Sequence, residues 1–404
     1  MPNSRPTGFL PGMDEVARLT RAGRIAEATG LVQRLLRGTG EPAPSPTAVP
    51  DPSVIEGEFT RLDPAAKTER APGRRPGHAA RTGLGETLRG LAARLRPAGL
   101  HGGGTGGPCP AADPLPDGAS FVTASHSGAS GTRAYKLYVP ANRGEGPRPL
   151  VVMLHGCTQS PDDFAAGTRM NAFAERHGVF VAYPEQPASA NPQRCWNWFK
   201  PEDQNRDRGE PDLLAGITRR IMREYPIDPT RVYIAGLSAG GAAAAIMAAA
   251  YPDLYAAVGV HSGLPAGAAG DLPSALTAMR QGGRTAPTRG GAGRAVPTIS
   301  FHGDRDRGVN PQNGDQVAAQ ATAAARGLRT EVQHGETPGR HGYSRTLHTG
   351  PSGRTLCEHW SIHGAGHAWA GGSPAGSYTD PQGPDATAEM MRFFLEHSMS
   401  ATPA

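Results

Sequence analysis

From Pro116 onward, short apolar runs of strand length take turns with helix-like segments, and this alternation limits the fold more than any other feature of the chain. "SFVTAS" and "RAYKLYVP" read as opening strands, "PLVVML" is a continuous apolar run, "MNAFAERHG" is helical and "VFVAYP" is a strand again. Next come the helix "DLLAGITRRIMREY", with Leu213, Ile217 and Ile221 four apart, the strand "RVYIAG", and a helix of small residues after Ser238. "LYAAVGVHSG", "VPTISFHG", the helix around "GDQVAAQATAAARG", "CEHWSIHG" and the helix "ATAEMMRFFLEH" complete the series. Buried β runs alternating with helices predict an α/β fold, a mainly parallel sheet covered on both faces. The stretch "AGAAGDLPSALTAMRQGGRTAPTRGGAGRA" breaks the pattern and is expected to be a surface insertion or lid.

The first 115 residues have a different texture. Met13 to Arg37 reads as a helical hairpin or one bent helix, with Val16, Leu19, Ile25, Ala28, Val32, Leu35 and Leu36 at helical spacing and Gly23 as the break. "AGRIAEA" looks like half of a tetratricopeptide unit, and a lone unit must dock on its own domain, a second copy or a surface. Residues 39–115 hold "GEPAPSPTAVPDP", "APGRRPGH" and "HGGGTGGPCP", which carry too little apolar area to offset chain entropy. The expected organisation is a helical leader (1–38), a Pro/Gly/Arg-rich flexible linker (39–115), a catalytic domain (116–398) and a tail (399–404). Glycine (55) and proline (39) make up about 23% of the 404 residues, against roughly 12% in ordinary proteins, in line with a long stretch outside any packed core.

Charge says little about partners. Between Arg61 and Arg96 nine Lys/Arg face Asp63, Glu69 and Glu86, a surplus larger than the net charge of +5 for the whole chain. The catalytic part is close to neutral, and no aromatic residues interleave with the arginines as a nucleic-acid surface would need, so no nucleic-acid partner is expected. "LGETLRGLAARLRPAG" reads as a solvated basic helix, with surface binding as its other reading. No run approaches the ~18 to 20 apolar residues of a membrane span, and "MPNSRPTGFLPGMDEVARLT" lacks the apolar core of a signal peptide, which predicts a cytoplasmic location. The four cysteines have no metal-ligand spacing, and no metal or organic cofactor is expected.

One serine stands where chemistry is expected. In "RVYIAGLSAGGAAAA", Gly236, Ser238 and Gly240 fit G-x-S-x-G between a strand and a helix, the context of a nucleophile elbow. Glycines flank the serine because a side chain there would clash, and the helix beginning at Ala239 aims its amides and positive dipole end at the same spot. A hydroxyl needs a base, and the base an orienting acid. The acid is expected in "FHGDRDRGV": Asp306 lies deeper in the loop and is preferred, with Asp304 bracing the turn. In "IHGAGHAWAGG", His367 sits in a glycine-bounded loop and is the expected base, whereas His363 ends a strand as a wall residue. "PLVVMLHGCTQSP" ends a buried strand in His155-Gly156-Cys157, so the amides of Cys157 and Ala239 are the expected oxyanion donors. Cys157 either pairs with Cys195 or stays a free thiol. Trp196, Asn197 and Trp198 of "CWNWF", with Trp369, are read as the rim that grips an apolar ligand.

Taken together, "LHGCTQSPDDF", "CWNWF", "GLSAGG", "FHGDRDRGV" and "GAGHAWAGG" resemble the poly(3-hydroxybutyrate) depolymerase family of esterases, relatives of the feruloyl and acetylxylan esterases, over roughly residues 117 to 398. The N-terminal "RLTRAGRIAEATGLVQRLLRG" is similar to the leader of bacterial members. The resemblance implies an α/β-hydrolase fold with Ser238 as nucleophile, Asp306 as acid and His367 as base. It implies hydrolysis of short hydroxyacid esters, polymer or oligomers of 3-hydroxybutyrate among them, with feruloyl or acetylxylan-type carbohydrate esters as the alternative. Where the family has proline after its histidine-tryptophan pair, Ala370 stands here. Many relatives are secreted, so an extracellular location is the alternative to the cytoplasm. From a different class, the chain could be a granule-surface or partner-binding protein with a decayed hydrolase domain, its leader serving self-association or a granule surface.

Overall fold

A computed structural model describes residues 115–283, 294–336 and 339–399 of the chain. The leader, all of the linker but its last residue, most of the tail and residues 284–293 of the expected insertion lie outside the described residues.

The strand-forming runs assemble into one ten-stranded sheet. In chain order its strands are β1 (Ser120–Gly128), β2 (Gly131–Val139), β3 (Arg148–Leu154), β4 (Phe180–Pro184), β5 (Ile227–Leu237), β6 (Ala257–His261), β7 (Thr298–Gly303), β8 (Arg329–Gly335), β9 (Tyr343–Thr349) and β10 (Thr355–Ile362). Across the sheet they lie in the order β1-β2-β4-β3-β5-β6-β7-β10-β9-β8. The six central strands, β4 to β10, pair in parallel; the hairpins β1–β2 and β9–β8 add antiparallel edges. This is the mainly parallel sheet that the alternation predicts, with the architecture of an α/β hydrolase. The β8–β9 hairpin escapes prediction because "RTEVQHG" and "YSRTLHT" carry no apolar face: β8 is exposed almost throughout and β9 only half-buried. A two-residue pair, β11 (Trp369–Ala370) with β12 (Thr379–Asp380), stands apart from the sheet.

Two cores sandwich the sheet, because successive residues of a strand face opposite sides. Leu150, Val152 and Leu154 of β3 belong to one core, and Val151 and Met153 to the other. The first core is closed by α3 (Gly209–Glu224) and α4 (Ala239–Ala250), the second by α2 (Met170–His177) and α7 (Ala386–Leu395). Leu213, Ile217 and Ile221 are buried on α3, as their four-residue spacing requires. The alanines of α4 let the helix lie close to the strands, and ten of its residues are buried. Three further helices are α1 (Pro161–Thr168), α5 (Leu272–Gln281) and α6 (Gln312–Thr322), and Pro201–Gln204 forms a 3-10 turn. α5 falls in the expected insertion. Its N-cap Asp271 accepts from the Ser274 amide while the Ser274 side chain closes a capping box, so this short helix starts on local bonds of its own.

Candidate active site

Parallel strands end on a common edge, and the segments that carry Ser238, Asp306 and His367 follow β5, β7 and β10 there. β5 passes into α4 at Ser238, whose backbone angles (φ 57°, ψ −119°) are strained for a residue with a side chain. The flanking glycines are needed for space. A β-carbon on Gly236 would overlap the Gly240 carbonyl, and one on Gly240 would overlap the carbonyls of Leu154 and His155. The Ser238 amide donates to the His261 carbonyl at the end of β6 (2.9 Å), which pins the turn to the next strand.

Asp306 and His367 come together from the loops after β7 and β10. His367 Nδ1 lies 2.7 Å from Asp306 Oδ2, and the amides of Gly308 (2.8 Å) and Val309 (2.9 Å) donate to Oδ1. His302 Nε2 donates to the Val309 carbonyl (2.9 Å) and sits 3.4 Å from Asp306 Oδ2. Burial works to raise the Asp306 carboxyl, but His367 and His302 facing it prevail and hold it well below the usual carboxylate range. With its Nδ1 proton directed at this carboxylate, the imidazole of His367 presents Nε2 as an acceptor. Among the described residues neither Ser238 Oγ nor His367 Nε2 makes a hydrogen bond, to each other or to a third group.

His261 joins the two halves. Its carbonyl holds the Ser238 amide, and its ring Nε2 accepts from the Ala370 amide (3.0 Å), three residues past His367. Burial pushes this imidazole down to about 3, with His302 and His367 acting in the same direction, so it is a neutral acceptor. The motifs that mark Ser238, Asp306 and His367 do not include it; its one signal in the sequence is a histidine ending the strand beside the serine's own. Asp304 is elsewhere. It accepts from the Gly364 amide (2.8 Å) and faces His363 Nδ1 (3.3 Å) on the surface, bracing the loop that leads to His367.

A mostly apolar pocket opens over Ser238 and Ala239. Cys157, joined by a disulfide to Cys195, forms part of its wall, so the alternative left open for these thiols resolves to the paired state. Among the described residues neither the Cys157 nor the Ala239 amide has a protein acceptor, and both residues line this pocket. Trp198 and Phe199 form an aromatic wall, and Leu272, Leu276 and Met279 of α5 another. The i, i+4, i+7 spacing of those three residues marked a helix face, but nothing in the sequence told which way it pointed.

Three expected rim residues are in the core instead. Trp196 is fully buried and donates Nε1 to the His155 carbonyl (3.1 Å). Asn197 is buried in a polar cluster with Asn191 and Glu210. Trp369 stacks on His261 (ring centroids 5.0 Å apart) and donates Nε1 to Thr387 Oγ1 (2.9 Å). Side-chain direction in an irregular loop follows no fixed alternation, and Trp198 is the one of the four that lines the pocket. Among the described residues no group of three or more His, Cys, Asp or Glu is arranged to hold a metal ion, and no helix is long and apolar enough to cross a membrane.

Residues 133–331 match the family model described as Esterase PHB depolymerase. The chain carries a domain of this esterase family. Poly(3-hydroxyalkanoate) depolymerase C of Paucimonas lemoignei is 34% identical over 239 residues, which are 57% of this chain and 56% of the relative. Acetylxylan esterase A of Emericella nidulans is 33% identical over 156 residues, 38% of this chain and 50% of the relative. The chain thus spans about half the length of these curated relatives. An acetyl xylan esterase structure from Aspergillus awamori superposes with a TM-score of 0.53 at 21% identity, covering 69% of this chain and 99% of that one, which places the esterase domain in the same fold.

Proposed function

We propose that the esterase domain is a serine carboxylic ester hydrolase acting through an acyl-enzyme, with short hydroxyacid esters, 3-hydroxybutyrate oligomers or polymer among them, as substrates. The observation that carries this reading is the His367–Asp306 pair at 2.7 Å on the sheet edge that also holds the strained Ser238 and two amides without acceptors among the described residues.

Ser238 Oγ attacks the ester carbonyl while His367 Nε2 takes its proton. Asp306 holds the imidazole in the correct tautomer and stabilises the imidazolium. The carbonyl oxygen becomes an oxyanion between the amides of Cys157 and Ala239, each such donor worth about 3 kcal/mol in the transition state. The C–O bond to the alcohol then breaks, and the imidazolium gives that alcohol its proton. Water, activated by the same base, attacks the acyl-serine and releases the acid. The apolar walls of Trp198, Phe199, Leu276 and Met279 suit an alkyl acyl chain.

The test is turnover of p-nitrophenyl butyrate by wild type and Ser238→Ala: loss of all but background activity in the variant is expected, and unchanged turnover would overturn the assignment. Product analysis then separates substrates. Release of 3-hydroxybutyrate from amorphous polymer is expected; release of acetate from acetylxylan in its place would favour the carbohydrate-esterase reading, which the resemblance to acetylxylan esterase A supports. We further propose that residues 1–115 act outside the chemistry, so that their deletion preserves small-ester turnover and alters assembly or location.

A further inference from the structure

One buried carboxylate ties the aromatic loop to the oxyanion strand end. Glu210, in the first turn of α3, is 6% exposed. It accepts from Gln186 Nε2 (2.5 Å), from the Asn197 amide (2.8 Å) and from Asn197 Nδ2 (2.7 Å). Gln186 also donates Nε2 to the Cys195 carbonyl (2.9 Å), and its backbone amide donates to His155 Nε2 (3.1 Å). Trp196, between Cys195 and Asn197, donates to the His155 carbonyl (3.1 Å). His155 stands two residues before Cys157, and Cys157 is bonded to Cys195. The carboxylate therefore grips both ends of the segment 186–197, which in turn touches the Cys157 loop by these three routes and by a fourth, the Thr158 amide donating to the Gln193 carbonyl (2.7 Å).

We propose that Glu210 is a positioning residue for the oxyanion site: by fixing the 186–197 segment it sets where the Cys157 amide stands. The inference rests on the reading of that amide as an oxyanion donor.

The surroundings make this grip depend on protonation. Asp203 of the 3-10 turn accepts the Glu210 amide (2.8 Å), with Lys200 and Glu202 beside it. From β2 the buried Arg133 faces Glu210, Asp203 and Glu185. His155, pushed down to about 4 by burial, is neutral. Burial, with Asp203 adding to it, pushes the Glu210 carboxyl up to about 7 against the bonds from Asn197 and Gln186. Ionised, the group accepts from all three donors. Protonated, one oxygen bears a hydrogen, and a partner that donates is poorly matched.

Glu210→Gln mimics the protonated form, so the ratio of wild-type to variant kcat on p-nitrophenyl butyrate, followed against pH, cancels whatever the two enzymes share. The ratio is expected near one below about pH 6 and about tenfold above about pH 8, with KM little changed, as a displaced oxyanion donor requires. A ratio that stays constant with pH would overturn the proposal, since a merely structural loss has no such profile. Independently, the intrinsic fluorescence of wild type, which has Trp196 and Trp198 in this loop, is expected to change through neutral pH and to be flat in Glu210→Gln. A flat wild-type titration also overturns the proposal, and it needs no variant to fold. Wild type inactive on every ester would instead sink the esterase reading, with the fluorescence titration still deciding whether Glu210 governs the loop.

Discussion

Gly240 packs against Leu154 so closely that the β-carbon of any other residue would occupy the space of the Leu154 carbonyl oxygen. Both partners are backbone, so the overlap is relieved only by moving the start of α4 away from the end of β3. Gly240→Ala is therefore expected to lower the unfolding temperature by several degrees and to reduce kcat by about 100-fold, because a displacement near 1 Å misaligns serine and oxyanion donors. Gly270 is the control, since a β-carbon added there would meet nothing within 4 Å: Gly270→Ala should leave stability within about 0.5 kcal/mol and activity unchanged.

Two aspartates two residues apart have separate expected effects. Asp306→Asn should cut kcat by about 10⁴-fold, since the amide no longer holds the required tautomer of His367, while Asp304→Asn should change it by no more than about threefold. Because the folded-state Asp306 carboxyl is held well below its ordinary value, the stability it contributes is complete above about pH 4 and declines as pH falls further. Thermal unfolding of wild type and Asp306→Asn should accordingly differ most near neutrality, with the gap closing toward about pH 3.

Reduction should loosen the oxyanion loop. The Cys157–Cys195 bridge closes a loop over a sequence separation of 38, and its loss is expected to cost about 2–4 kcal/mol, read as a lower unfolding temperature in a phosphine reductant. Cys195→Ser should reproduce the effect and lower kcat. Cys357 is not a competing target: it is buried, and burial pushes its thiol up to about 12.

Acyl-chain preference should respond to α5. Leu276→Ala removes apolar surface from the pocket wall, and the preference for p-nitrophenyl butyrate over acetate, measured as a ratio of kcat/KM, is expected to fall by about tenfold.

Much of the sheet could be read from the chain because buried parallel strands such as "PLVVML" and "RVYIAG" are apolar on both faces, which leaves little choice of environment. The loops holding Ser238, Asp306 and His367 were legible for a related reason: each follows a strand with a parallel neighbour, and parallel strands deliver their ends to one edge. Side-chain direction within an irregular loop has no such periodicity. "CWNWF" reveals a cluster of indoles but not that Trp196 and Asn197 turn inward while Trp198 faces the pocket. Glu210 was invisible for the opposite reason, since an acidic residue at a helix start ordinarily meets water, and its burial depends on Gln186 and Asn197 arriving from distant positions.

The wall formed by α5 lies outside the ladder of strands and begins on its own capping box. Exchange of its pocket-facing side chains is accordingly expected to leave the elbow and the acid–base pair in place. On the proposed function, bond-breaking power and choice of substrate should be separable by mutation, and a library confined to this ten-residue helix is expected to redirect the enzyme toward bulkier esters.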